Sequence, residues 1–176
     1  MFTLRPAALL LALLAAGCSS GSGMEGKIAP ACPGLAIVKD AADLTRFNGR
    51  GEDITDLVLD ARVVAVPATC KPGGRGIVEA EVKVTVEVAR GPAAPSRRLT
   101  LPYFVAVTDP TGRLLDKQEY NLAGEFPANV DRLTVSGQPI TLNLPITADR
   151  PSSSYRIFVG LALTPTDVAY NRRHTR

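Results

Sequence analysis

From Val78 to Val88 every second residue is apolar: Val78, Ala80, Val82, Val84, Val86 and Val88 alternate with Glu79, Glu81, Lys83, Thr85 and Glu87. A period of two sends successive side chains to opposite faces of an extended chain, whereas a helix would scatter the same set around its axis. Residues 77–89 therefore read as one half-buried antiparallel strand, valines inward and charges in water. A chain that carries such a strand must also supply a second apolar layer to cover the valine face.

Strands are expected also at 57–66, 98–108, 113–121, 132–135, 140–144 and 155–163, each bounded by Pro, Gly, Asn or Asp. Asp109-Pro110-Thr111-Gly112 has the residue order of a type I turn and joins 98–108 to 113–121 as a hairpin. Two short helices are expected. In 40–47, Ala41, Leu44 and Phe47 fall near helical spacing; before 165–171, Thr164 can cap, with Asp167 completing a capping box. Strands without long intervening helices argue against a parallel α/β sheet. The expected fold is all-β: a single antiparallel β-sandwich, immunoglobulin-like or a related Greek key, with one or two short peripheral helices. A small barrel is the alternative.

The N-terminus bears on location. Arg5 precedes an apolar run from Ala7 to Ala16, then small residues before Cys18. That is the order of a signal peptide. The run is about ten residues, half of what a membrane-spanning helix needs. Leu14-Ala15-Ala16-Gly17-Cys18 resembles the lipobox of bacterial lipoproteins, with Ala15 at the place where that family usually has Leu. The resemblance implies cleavage after residue 17 and lipid on Cys18. Ser19, which is not Asp, implies sorting to the outer membrane. Residues 18–27 are rich in Ser and Gly and read as a flexible tether, leaving 28–176 as one domain.

With Cys18 assigned to lipid, Cys32 and Cys70 remain as an even pair in an oxidising compartment, and a disulfide is expected. A metal site is the disfavoured alternative, because two distant thiols and the single His174 match no usual zinc spacing. Cys32-Pro33, the lone Cys70, the segment Tyr103-Phe104-Val105-Ala106-Val107 and the ending Gly160-Leu161-Ala162-Leu163-Thr164 through Ala169-Tyr170-Asn171-Arg172 strengthen the resemblance. Together with the lipobox they are similar to small proteobacterial envelope lipoproteins of unknown function, over nearly the whole chain. That resemblance implies an address and no reaction.

Net charge is +3, too small an excess to mark a nucleic-acid binder. The chain has no G-x-S-x-G elbow, H-E-x-x-H, P-loop or dinucleotide fingerprint, and the sequence names no catalytic residue, metal ligand or cofactor. Asp116, Glu119 and Glu125 form a carboxylate set for a hydrolase only if the fold converges them; solvated surface charge is the plainer reading. Glu52, Asp53, Asp56 and Asp60 lack the pattern of a calcium loop. The basic tail 171–176 reads as solvated.

The stronger lead is apolar residues expected on wet faces. If Leu99, Leu101, Tyr103, Val105 and Val107 point inward, then Pro102, Phe104 and Ala106 point outward. Phe158, Gly160 and Ala162 do the same in 155–163. Adjacent, these strands form an apolar patch centred on Pro102, Phe104 and Phe158, with Pro102 hinting at an edge or bulge. The plainer reading has Val168 and Tyr170 of the terminal helix covering it. The functional expectation is a lipid-anchored periplasmic module docking an envelope protein partner. A glycan-binding structural lipoprotein is the alternative, and a carboxylate-based hydrolase ranks lowest.

Overall fold

The structure, a computed structural model, describes residues 30–174. The expected signal segment 1–17, the lipidation site Cys18 and the tether 18–27 lie outside the described residues.

The strands are β1 (Gly34–Ile37), β2 (Asp43–Phe47), β3 (Leu57–Ala65), β4 (Ala68–Pro72), β5 (Ile77–Val82) and β6 (Thr85–Arg90). They continue as β7 (Arg98–Thr108), β8 (Leu114–Glu125), β9 (Arg132–Ser136), β10 (Ile140–Pro145) and β11 (Arg156–Leu161), followed by the helix α1 (Pro165–Arg173). One layer has the strand order β1-β11-β7-β8. The other is built from two sheets, β2-β3-β6-β9 and β10-β5-β4. Every pairing between named strands is antiparallel except β1 with β11. The inner faces share one apolar core, so the fold is the expected all-β sandwich.

Residues 77–89 are not one strand, which corrects the expectation from their alternation. β5 pairs with β4 and β10, whereas β6 pairs with β3 and β9. Lys83 N–H donates to Pro67 O at 3.1 Å and Gly137 N–H to Val84 O at 2.8 Å, carrying the hydrogen bonding across the bend. Strands β3 and β4, β5 and β6, and β9 and β10 thus act as three long strands bent at one level. The inward set is unbroken through the bend, since Val82, Val84 and Val86 are all fully buried. Alternation reports which face is covered; it is blind to which neighbour supplies the hydrogen bonds.

The helix expected at 40–47 is also corrected. A single 3-10 turn, Lys39–Ala41, leads into β2, which pairs with β3. Pairing places Leu44 in the core and lets Thr45 Oγ1 donate to Asp60 Oδ2 at 2.9 Å. Three apolar residues at helical spacing are outweighed by this sheet pairing, in which Thr45 and Phe47 are favoured residue types. The short strands β1 and β4 had no sequence expectation.

Cys32 and Cys70 are disulfide-bonded with Cα atoms 5.5 Å apart. The bridge ties the segment entering β1, at the edge of the first layer, to β4 at the edge of the second. At the other end of the chain α1 begins with the expected capping box: Asp167 N–H donates to Thr164 Oγ1, and Asp167 Oδ2 accepts from Thr164 N–H.

The β7–β8 hairpin turns as expected, with Gly112 N–H donating to Asp109 O at 3.0 Å and Gly112 at φ 85°. Asp109 Oδ1 accepts from Thr111 Oγ1, Thr111 N–H and Arg113 N–H, and Oδ2 accepts from Arg113 Nε. These bonds, the Thr111 hydroxyl foremost, pull the Asp109 carboxyl down to about 2. A carboxyl lowered from about 3.9 stabilises the fold fully above that pH and loses its contribution as pH falls through 2. Asp109→Asn should therefore melt below the native chain at pH 7, with the difference narrowing between pH 4 and 2. Melting temperatures of both chains over that range check this; a gap independent of pH would contradict it.

Candidate functional site

The site is assembled on the outer face of the β1-β11-β7-β8 layer. On β7, Leu99, Leu101, Tyr103, Val105 and Val107 are buried inward, which turns Pro102, Phe104 and Ala106 outward. On β11, Ile157, Val159 and Leu161 point inward and Phe158 and Gly160 outward. The two strands are neighbours, with Phe158 opposite Ala106 and Gly160 opposite Phe104. The expected adjacency is therefore present: Pro102, Phe104 and Phe158 share one face, and all three are half-buried.

Gly160 makes the local packing possible. A Cβ there would lie 3.0 Å from the Phe104 ring and 2.8 Å from Ala41 Cβ. The Phe104 ring thus rests against the Gly160 backbone while the 3-10 turn 39–41 closes over it. On the far side of β7, Ala106 pairs with Lys117 and Phe104 with Glu119, both on the outer face of β8. Lys117 Nζ sits 5.0 Å from the Phe104 ring centre and 3.2 Å from Glu119 Oε1. Further along β8, Leu115 is 41% exposed. An apolar centre on β7 and β11 is thereby edged by a charged pair on β8.

Pro102 does not mark an edge, because β7 lies between β11 and β8. Its carbonyl accepts from Ala162 N–H at 2.8 Å, one residue past the end of β11. In an antiparallel strand the N–H of a residue points to the same side as its C=O. The donor that proline lacks thus falls where the neighbouring strand has ended, which is how a central strand tolerates it.

Helix α1 has its main contacts away from β7 and β11. It packs on β2 and on the 3-10 turn 39–41. Tyr170 meets Phe47 edge-on at 5.6 Å and stacks on His174 at 4.2 Å. Val168 lines a shallow groove with Leu163, Pro165 and Ala169. At the end of the helix Arg172 Nε is 2.7 Å from Asp40 Oδ2 and Arg173 Nη2 is 3.2 Å from Glu52 Oε1, so these two exposed arginines of the basic tail carry ion pairs.

The inner face of β8 carries a polar ladder. Tyr120 Oη donates to Gln118 Oε1, and Gln118 Nε2 donates to Asp116 Oδ2. Tyr120 stacks on Tyr103 at 5.5 Å. Burial raises both phenols above their ordinary pKa, helped at Tyr103 by Tyr120 and at Tyr120 by Asp116.

The carboxylates considered for catalysis are not brought together. Asp116 is on the inner face of β8 and Glu119 on the outer; Glu125, paired with Arg97 and Arg98, is six residues further, about 20 Å along a strand. Among the acids at 52–60, Glu52 pairs with Arg173, Asp56 with Arg50 and Asn48, and Asp60 with Thr45. No group of three or more His, Cys, Asp or Glu poised for a metal occurs among the described residues.

No family model matches the chain, and no curated protein matches it in sequence. Among solved structures, the variable domain of the AgI/II polypeptide BspA of Streptococcus agalactiae is similar with a TM-score of 0.20 and 12% identity, covering 68% of this chain and 73% of that one.

Proposed function

We propose that this chain is a lipid-anchored binding module of the bacterial envelope, docking a protein partner on the outer face of the β1-β11-β7-β8 layer. The observation that carries the docking surface is the juxtaposition of half-buried Pro102, Phe104 and Phe158 on one face, edged by Lys117 and Glu119. An apolar centre with a charged rim is the arrangement in which protein interfaces concentrate their binding energy. The address rests on the lipobox resemblance ending at Cys18, which implies an outer-membrane anchor facing the periplasm. The Cys32–Cys70 bridge supports it, since such bonds persist in oxidising compartments.

In-cell crosslinking of the tagged lipoprotein, followed by purification and mass spectrometry, tests the reading. Phe104→Asp places a charge in the apolar centre and should reduce recovery of a reproducible partner by about thirtyfold, the effect of losing a 2 kcal/mol anchor. Lys117→Glu, which leaves the Phe104 packing on Gly160 in place, should weaken recovery less. Equal recovery with native chain and both variants would sink the proposed surface, and retention on purified cell-wall sacculi would favour glycan binding instead.

A further inference from the structure

A second cavity, separate from the docking face, lies where the end of β6, the start of β7 and the edge of β2 and β3 meet. It measures about 170 Å³ and is lined by Arg46, Arg90, Arg98, Ser96 and Thr100 together with apolar groups that include Leu99 and Phe126. Three arginines line it and no carboxylate does. The clefts beside β2 and on the outer face of β3 and β6 differ, since each pairs its cations with Asp or Glu.

Arg90 is the residue of interest. Its guanidinium lies over the buried Phe126 ring, 6.0 Å from the ring centre. Its Nε is buried and has no hydrogen-bond partner. A buried donor left unpaired is destabilising, the more so when the group is charged. Arg46 and Arg98 are held only by longer ion pairs to Asp167 at 3.8 Å and Glu125 at 3.5 Å, and neither acid lines the cavity. Phe126 and Leu99 thus share the lining with three arginines.

We infer that this cavity binds a small oxyanion, a phosphate carried on a short apolar stem, with the terminal nitrogens of the Arg90 guanidinium, rather than its enclosed Nε, as the principal donors and with Arg46 and Arg98 beside it. A guanidinium presents a planar fork of donors suited to phosphate, and the apolar lining accommodates the stem. The observations fit a free phosphate ester and the headgroup of a phospholipid equally, because both offer the same oxyanion.

The full chain is titrated with inorganic phosphate, butyl phosphate and dihexanoyl-phosphatidylglycerol below its micelle concentration, following the Arg90 Nε–H resonance. Saturable shifts with butyl phosphate, stronger than with inorganic phosphate, are expected from a free-ester site; shifts with the phospholipid alone identify the headgroup as the source. Arg90→Met should weaken binding at least tenfold with little change in melting temperature, since it keeps an apolar stem against Phe126 and removes an Nε that has no hydrogen bond. Arg98→Met should weaken it less, and Arg62→Met, on another face, not at all. No saturable shift with any of the three probes, or equal affinity in Arg90→Met, overturns the inference.

Discussion

Replacing Cys32 and Cys70 together by serine should cost about 4 kcal/mol of stability in the chain-entropy model, the value for a loop of this length. The sequence separation is 38 residues, and the loop contains all of β1, β2 and β3. A loss of that size is a large part of the roughly 5 to 15 kcal/mol that holds a domain folded. It corresponds to a fall in melting temperature of about 8 to 16 °C for a domain of this size. The cause is the freedom the unfolded chain regains when the loop opens, and within the fold the loss falls on the sheet edges. Among the described residues β1 is paired only with β11 and β4 only with β5, so Cys70 lies on a strand with one neighbour and Cys32 lies just before another. Without the bond, β1 and β4 are held by short ladders alone, and the segment entering β1 regains its freedom. Urea denaturation of the native chain, the double-serine variant and the native chain in reductant measures this. The last two should coincide, and a loss below about 1 kcal/mol would show that the loop is already restrained in the unfolded state.

The second large effect concerns the anchor. Cys18→Ala should abolish incorporation of labelled fatty acid, and the mature N-terminal peptide should lose its acyl mass. A single acyl chain binds membranes only marginally, whereas two or more signals hold stably, so losing all of them is close to an all-or-none change. No helix among the described residues is long and apolar enough to cross a membrane. Labelling and intact-mass measurement on native and variant chains decide the matter. An unchanged mass for the N-terminal peptide of the native chain, without acyl groups on Cys18, would contradict the lipid assignment.

Much of the fold was legible because local patterns and tertiary structure agree. β7 spans residues 98–108, as expected, because its inward set runs unbroken between an exposed loop and the Asp109 turn. The capping box at Thr164 and Asp167 is a local signal and needed no tertiary knowledge. What was illegible depends on partners distant in sequence. Nothing between Val82 and Val84 announces that the hydrogen bonds pass from one set of neighbours to another. Ala41, Leu44 and Phe47 are compatible with a helix until β3 is placed beside them. β1 is only four residues long and gains its identity from a parallel partner more than a hundred residues later.

The site divides in the same way. Alternation in β7 and β11 was enough to select Phe104 and Phe158 as outward residues, and their adjacency then followed from the β7–β11 ladder. The direction taken by α1 was not available, because Tyr170 is apolar enough to cover either Phe104 or Phe47, and only the packing on β2 selects Phe47. The arginine cavity left no trace in the sequence. Arg46, Arg90 and Arg98 come from separate elements, and the missing partner of Arg90 Nε becomes visible only when the surrounding atoms are in place.

The proposed function places a protein partner on the outer face of β7 and β11. Photo-crosslinking in living cells tests it most directly, with a photoreactive phenylalanine analogue placed singly at positions 104, 158 and 64. Val64 is 46% exposed on β3, in the other layer, and serves as the control. One discrete adduct of the same partner is expected from positions 104 and 158, and none from 64. Adducts from 64 with none from 104 and 158 would place any partner on the opposite layer and contradict the account.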